Sequence, residues 1–236
     1  MHMIMLAAAV APAAWLMKKV YDLDTVEKEP TRLLMRLILF GILSTVPAII
    51  LEAAVGAVLR TAFDGTGLLY AFIQSFIGVA LIEEGCKYFF LRLGAWNRPE
   101  FNCRFDGVVY AVFVSLGFAL LENINYIFTF GLQVALSRAL LAVPMHAVCG
   151  VYMGIWLGEA KLMQHRGQPQ AMKAYLAKSL WLPTLLHGVY DGCLIYGTQT
   201  SMLIFVAFVL VLFIFTLRRI KVFAQQDQYF VHNDTL

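Results

Sequence analysis

Apolar residues run along the chain in blocks of about 20, long enough at 1.5 Å per residue to cross the hydrocarbon core of a bilayer as helices. Seven blocks can be marked, at roughly residues 1–17, 37–59, 68–93, 107–132, 136–157, 180–197 and 200–217. The pattern predicts an all-α, polytopic membrane helix bundle with about seven transmembrane helices. It forms a single transmembrane domain over residues 1–236, with a core at about 68–197. The first block, "MHMIMLAAAVAPAAWLMKK", has the small residues of a signal peptide but no basic n-region, and its lysines follow the apolar run. It therefore reads as a retained first helix with its N-terminus outside. The stretch "KLMQHRGQPQAMKAYLAKSL" (161–180) holds Gly167 and Pro169 and then an amphipathic run, which predicts a short helix on the membrane interface.

Composition supports this reading. Of 236 residues, 61% are hydrophobic and 14% charged, whereas a soluble domain carries about a quarter charged residues. Charge placement adds the orientation. Fifteen basic residues fall in alternate polar segments, among them Lys18, Lys19, Arg92, Arg104, Lys161 and Arg218, against Arg60 and Arg138 alone on the other side. The positive-inside rule then places the C-terminus in the cytoplasm and the chain, multi-pass, in the cell membrane. Topology accounts for the basic residues, and no basic-aromatic patch suggests a nucleic-acid partner. Cys86, Cys103, Cys149 and Cys193 form no CxxC pair and read as free thiols.

The loops are short, so any chemistry must lie in the spans. "EEGCK" sets Glu83 beside Glu84 and puts Lys87 one turn from Glu83. "FALLENINY" supplies Glu122 and Asn123, "HAVCGVYMG" supplies His146, and "HGVYDG" supplies His187 and Asp191. Each acid at the centre of a span costs roughly 2.5–3.5 kcal/mol to insert. All four groups nevertheless fall near the midpoints of their blocks, which predicts one shared site. Lys87 is the only permanent cation read as facing these acids, so raised pKa values or a bound cation must offset them. Two histidines and a glutamate on neighbouring helices suit zinc with an open fourth position for water, and a further acid would serve as general base. His146, Gly150, Gly154 and Gly158 form a stripe at four-residue spacing that permits close helix approach. Asp106, in "RFDGVVY", reads as a helix cap. Glu52, near the outer end of the second span, is explained by an interface-facing position.

Taken in order, "EEGCK", "FDGVVYAVFVSLGFALLENINY", "HAVCGVYMG" and "HGVYD" resemble the PrsW family of intramembrane proteases, whose patterns run EExxK, FDGxxYG…GFAxxEN, Hx7G and HGxYD. The resemblance covers residues 83–192, with Ala111 where the family often has glycine. It implies a protease that cuts membrane-protein substrates, as in regulated proteolysis of an anti-sigma factor. It also implies Glu83 and Glu84 as catalytic acids, Glu122, His146 and His187 as ligands of a metal or water, and Asp191 as support for His187. Glu84 and Lys87 would tune Glu83, with Asn123 and Asp106 supporting. The metal, if used, would be divalent and most suited to zinc; a metal-free route with the histidines stabilising an oxyanion fits the same residues. The alternatives are a ceramidase-like lipid-amide hydrolase and an ion- or proton-coupled transporter.

Overall fold

The computed structural model describes residues 1–63 and 65–230. Seven long helices account for nearly all of it: α1 (His2–Leu23), α2 (Thr31–Ala62), α3 (Gly67–Ala95), α4 (Asp106–Phe130), α5 (Leu132–His165), α6 (Pro169–Tyr196) and α7 (Gln199–Gln225). All except α6 are long and apolar enough to cross a membrane. One end of the bundle gathers the α1–α2, α3–α4 and α5–α6 connections and most of the basic residues; we call it the basic end.

The structure departs from the expected layout at α6. The interfacial helix and the sixth span are one continuous rod. Gly167, at φ 65°, turns the chain out of α5, and Pro169 opens α6 at its first turn. Nothing between Gln170 and Leu180 then interrupts a helix, so the amphipathic segment runs straight into the apolar one.

The centre of the bundle is α4, every residue of which from Asp106 to Ala119 is buried. It packs against α1, α2 and α5, while α6 bridges α5 and α3, and α7 lies outside against α6 and α5. With lipid outside, hydrophobicity alone gives helices little reason to associate, so close packing must do so. The predicted glycine stripe supplies it. A Cβ on Gly154 would fall 2.4 Å from the Val108 Cα, and one on Gly158 would fall 2.1 Å from the Arg104 carbonyl oxygen. Gly41 of α2 and Gly117 of α4 meet in the same way on the opposite face. Thus α4 is held between two helices at backbone contact, which fixes the depth of Glu122.

Two helices are underwound by π-helical stretches, Gln74–Ala80 in α3 and Arg138–Ala142 in α5. Each lies a few residues before a polar group of interest, Glu83 and His146 respectively. Such insertions shift the face that the following residues present, and they concentrate at functional sites.

Candidate active site

Four helices bring their polar groups to one place. On α3, Lys87 Nζ donates to Glu83 Oε2 at 2.9 Å and to Glu84 Oε1 at 2.8 Å, and lies 3.0 Å from His146 Nδ1 on α5. On α6, His187 Nδ1 lies 2.9 Å from Glu84 Oε1. Glu83 Oε2 is 4.0 Å from the Nδ1 of each histidine, and the two rings stand perpendicular with centroids 5.5 Å apart. The Lys87 ammonium also sits over the Phe118 ring, 4.1 Å from its centroid.

Each histidine is held from behind. His146 Nε2 is 2.9 Å from Glu122 Oε2, and His187 Nε2 is 3.3 Å from Asp191 Oδ2. At His146 the carboxylate on Nε2 favours the tautomer that carries its proton there, which leaves Nδ1 as a lone pair aimed at the centre. Lys87, which can only donate, requires the same of His146 Nδ1. His187, by contrast, meets a carboxylate at each ring nitrogen. Glu122 is itself anchored by Arg138, whose guanidinium donates to Glu122 at 2.8 Å and to Asn123 Oδ1 at 2.7 Å. Asn123 in turn donates to the Ala9 carbonyl, tying the group to α1.

A cavity of about 500 Å³ opens onto this cluster. Glu83, Glu122, His146, His187 and Asp191 reach it, together with Arg138, Tyr126 and Glu52. Glu84 and Lys87 do not; both are fully buried behind Glu83. The two adjacent acids are therefore unlike: one faces the cavity and one faces the protein.

The residues fit a bound divalent metal. Glu83, Glu84, His146 and His187 each offer a ligand atom, and all four atoms lie within 4.8 Å of one another. Glu84 Oε1 and His187 Nδ1 approach to 2.9 Å, a contact that takes either a proton on Nδ1 or a cation between the two. The other Glu84 oxygen is buried without a partner. Four carboxylates (Glu83, Glu84, Glu122, Asp191) face two permanent cations (Lys87, Arg138), which leaves two negative charges.

The sequence-predicted residues thus converge, with four changes. Glu84, rather than Glu122, completes the four-donor set, and Glu122 stands behind His146. Asp106 does not cap α4: its carboxylate turns back to accept the Asn102 and Cys103 backbone N–H groups, far from this cluster in the α3–α4 connection. Arg138, counted in the sequence as a loop charge, is a second internal cation. Its signal was available, because it falls inside the fifth apolar block. Glu52 also faces the cavity instead of the interface, and nothing in its local sequence marks that.

Comparison with known proteins bears on this geometry. A family model described as "PrsW family intramembrane metalloprotease" matches residues 29–217. Among curated relatives, "Protease PrsW" of Halalkalibacterium halodurans is 37% identical over 95% of this chain and 99% of its own length. Proteins of the same name from Oceanobacillus iheyensis and Bacillus subtilis are each 35% identical, over 92% and 79% of this chain and 94% and 80% of their own. No solved structure matches. The lipid-hydrolase and transporter alternatives find no support among these relatives.

Proposed function

Because the chain belongs to the PrsW family of intramembrane metalloproteases, we propose that the α3–α6 cluster is its peptide-bond-cleaving centre, with Glu83 as general base and Glu84, His146 and His187 as the metal-holding set. The observation that carries this reading is the division between the adjacent acids. Glu83 faces the cavity and lies 4.0 Å from both histidines, whereas Glu84 is enclosed and lies 2.9 Å from His187. Two imidazoles and one carboxylate suit zinc and leave a position open to water. When bound, such a metal polarises the scissile carbonyl and acidifies water.

The chain's own groups do the rest. Glu83 takes the proton of the attacking water and returns it to the leaving amine. Lys87 holds Glu83 and Glu84 a fixed distance apart by bonding to both. Glu122 and Asp191 hold the imidazoles with Nδ1 inward, and Arg138 keeps Glu122 on its histidine. The apolar walls of the cavity, including Leu141, Met145 and Phe205, limit water to the polar floor and suit an unwound apolar substrate segment.

The substrate class proposed is a single-span membrane protein, such as an anti-sigma factor, cut in the cell membrane with the basic end of the bundle in the cytoplasm. The test is cleavage of single-span membrane proteins by the purified protein in liposomes, beside its zinc content by elemental analysis. Cleavage that requires Glu83 and stoichiometric zinc is expected. Full activity in metal-free protein would overturn the ligand assignment and leave the histidines to act on water directly.

A further inference from the structure

A second group of buried acids lies at the basic end, in the connection between α1 and α2 and at the start of α4. Asp24, Glu29 and Asp106 are 1%, 4% and 1% exposed, and each offers a carboxylate oxygen within 4.8 Å of the others'. Among the described residues none of the three makes an ion pair. Lys28, the cation nearest Asp24 and Glu29 along the chain, donates to the Tyr21 carbonyl, and Arg104, nearest Asp106, pairs with Glu159. Some of the oxygens are satisfied: Asp106 Oδ2 accepts the Asn102 and Cys103 N–H groups, and Glu29 Oε2 accepts the Tyr110 hydroxyl at 2.6 Å. Asp24 is not. Both of its carboxylate oxygens are buried without a hydrogen-bond partner, and the positive influences on it are the charge of Lys28 and, after it, the Glu27 backbone. On the other side of Asp106, Asp227 Oδ2 is likewise buried and unpartnered.

An isolated buried carboxylate costs several kcal/mol unless something positive meets it. Asp24 sets a carboxylate oxygen within 4.8 Å of those of two further acids, while neither of its own oxygens has a hydrogen-bond partner. We propose that Asp24, Glu29 and Asp106 bind a hard divalent cation, magnesium or calcium. Three carboxylates suit such an ion, and with oxygen ligands at roughly 2.1–2.6 Å, opposed ligand atoms lie no more than about 5 Å apart, as these do. The absence of histidine, with only Cys103 bordering the group through Asp106, argues against a zinc preference. The cation would fasten the α1–α2 connection to the first turn of α4 and so brace the helix that carries Glu122. The rival occupant is the proton: burial pushes Asp24 up to about 6 and Glu29 up to about 7.

The experiment uses the full chain, purified in detergent and stripped with chelator. Magnesium and calcium are titrated separately at pH 8 by calorimetry and by thermal melting. The expected result is one site for at least one of the two ions, with a rise in melting temperature. Glu83→Gln should leave that site unchanged, and Asp24→Asn should weaken it by at least tenfold. Luminescence of bound terbium, sensitised by Tyr110 and displaced by the titrated ion, keeps the test open if Asp24→Asn fails to fold. No binding of either ion at millimolar concentration would overturn the proposal and leave protons as the occupants. Binding that survives Asp24→Asn would overturn it by placing the ion elsewhere.

Discussion

Glu122 is the residue whose role the geometry changes most, and its substitution separates a metal ligand from a group that aims one. In the structure a single oxygen, Oε2, accepts from both His146 Nε2 at 2.9 Å and Arg138 at 2.8 Å. Glu122→Gln keeps an oxygen in that place and removes its charge. Charge-assisted hydrogen bonds are roughly twice as strong as neutral ones, so both bonds weaken without disappearing. Loss of an outer carboxylate behind a ligating histidine typically lowers metal affinity 10–100-fold, about 1.4–2.7 kcal/mol. Glu122→Gln is expected near the lower end, and Glu122→Ala, which also strands Arg138, near the upper. Zinc affinity is read by competition with a chromophoric chelator on the detergent-purified protein. Glu84→Gln and His187→Ala, by contrast, should leave no stoichiometric zinc. Complete loss of zinc in Glu122→Gln, or normal zinc in Glu84→Gln, would refute the assignment.

Three further outcomes are expected. Glu83→Gln should lower substrate turnover by roughly 10²–10⁴, the contribution of a general base, while zinc content and thermal melting stay near normal; near-normal turnover would remove it as the base. Gly154→Leu should prevent stable accumulation, because its Cβ alone would fall 2.4 Å from α4 backbone atoms, whereas Gly85→Ala, with nothing within 4 Å, should melt at or slightly above the parent temperature; equal melting of the two variants would contradict the α4–α5 packing. A reporter fused at the C-terminus should behave as cytoplasmic and one inserted at Thr66 as external, and reversal at both positions would invert the orientation.

The helical layout was legible because lipid imposes a simple rule: blocks of about 20 apolar residues become helices. The glycine stripe was legible for the same reason, since His146, Gly150, Gly154 and Gly158 repeat at the helical period. The shared site followed from the depth of Glu83, Glu122, His146 and His187. What the sequence left open was rotation about each helix axis. An extra residue in a π-turn changes which way the next residues face, and no local composition announces one. Glu84 therefore lies among the four clustered donor atoms, and Glu122 lies behind His146, a difference of rotation that spacing alone does not give. Arg138 was overlooked for a different reason: a basic residue near a helix end is ordinarily topological, and only its pairing with Glu122 makes it internal. The union of the interfacial segment with α6 is not legible in composition, because a change from amphipathic to apolar residues carries no helix-breaking signal and equally fits one helix or two.

The Glu122–Arg138 pair also constrains how the protein is made. Glu83, Glu84 and Lys87 share one helix, so α3 enters the bilayer with a counter-charge for its acids already one turn away. Glu122 and Arg138 lie 16 residues apart on either side of Gly131, whose φ of 84° forms a turn that only glycine makes without strain. Neither Glu122 nor Arg138 has a counter-charge within two turns on its own helix, and a lone acid near mid-bilayer costs roughly 2.5–3.5 kcal/mol to insert. The prediction is that α4 waits in the insertion machinery for α5 and the two are released into lipid as a closed hairpin. The α4 segment (residues 106–130) carried alone in a host protein should then insert less completely than the α4–α5 segment (106–165), and equal insertion would show that α4 integrates alone.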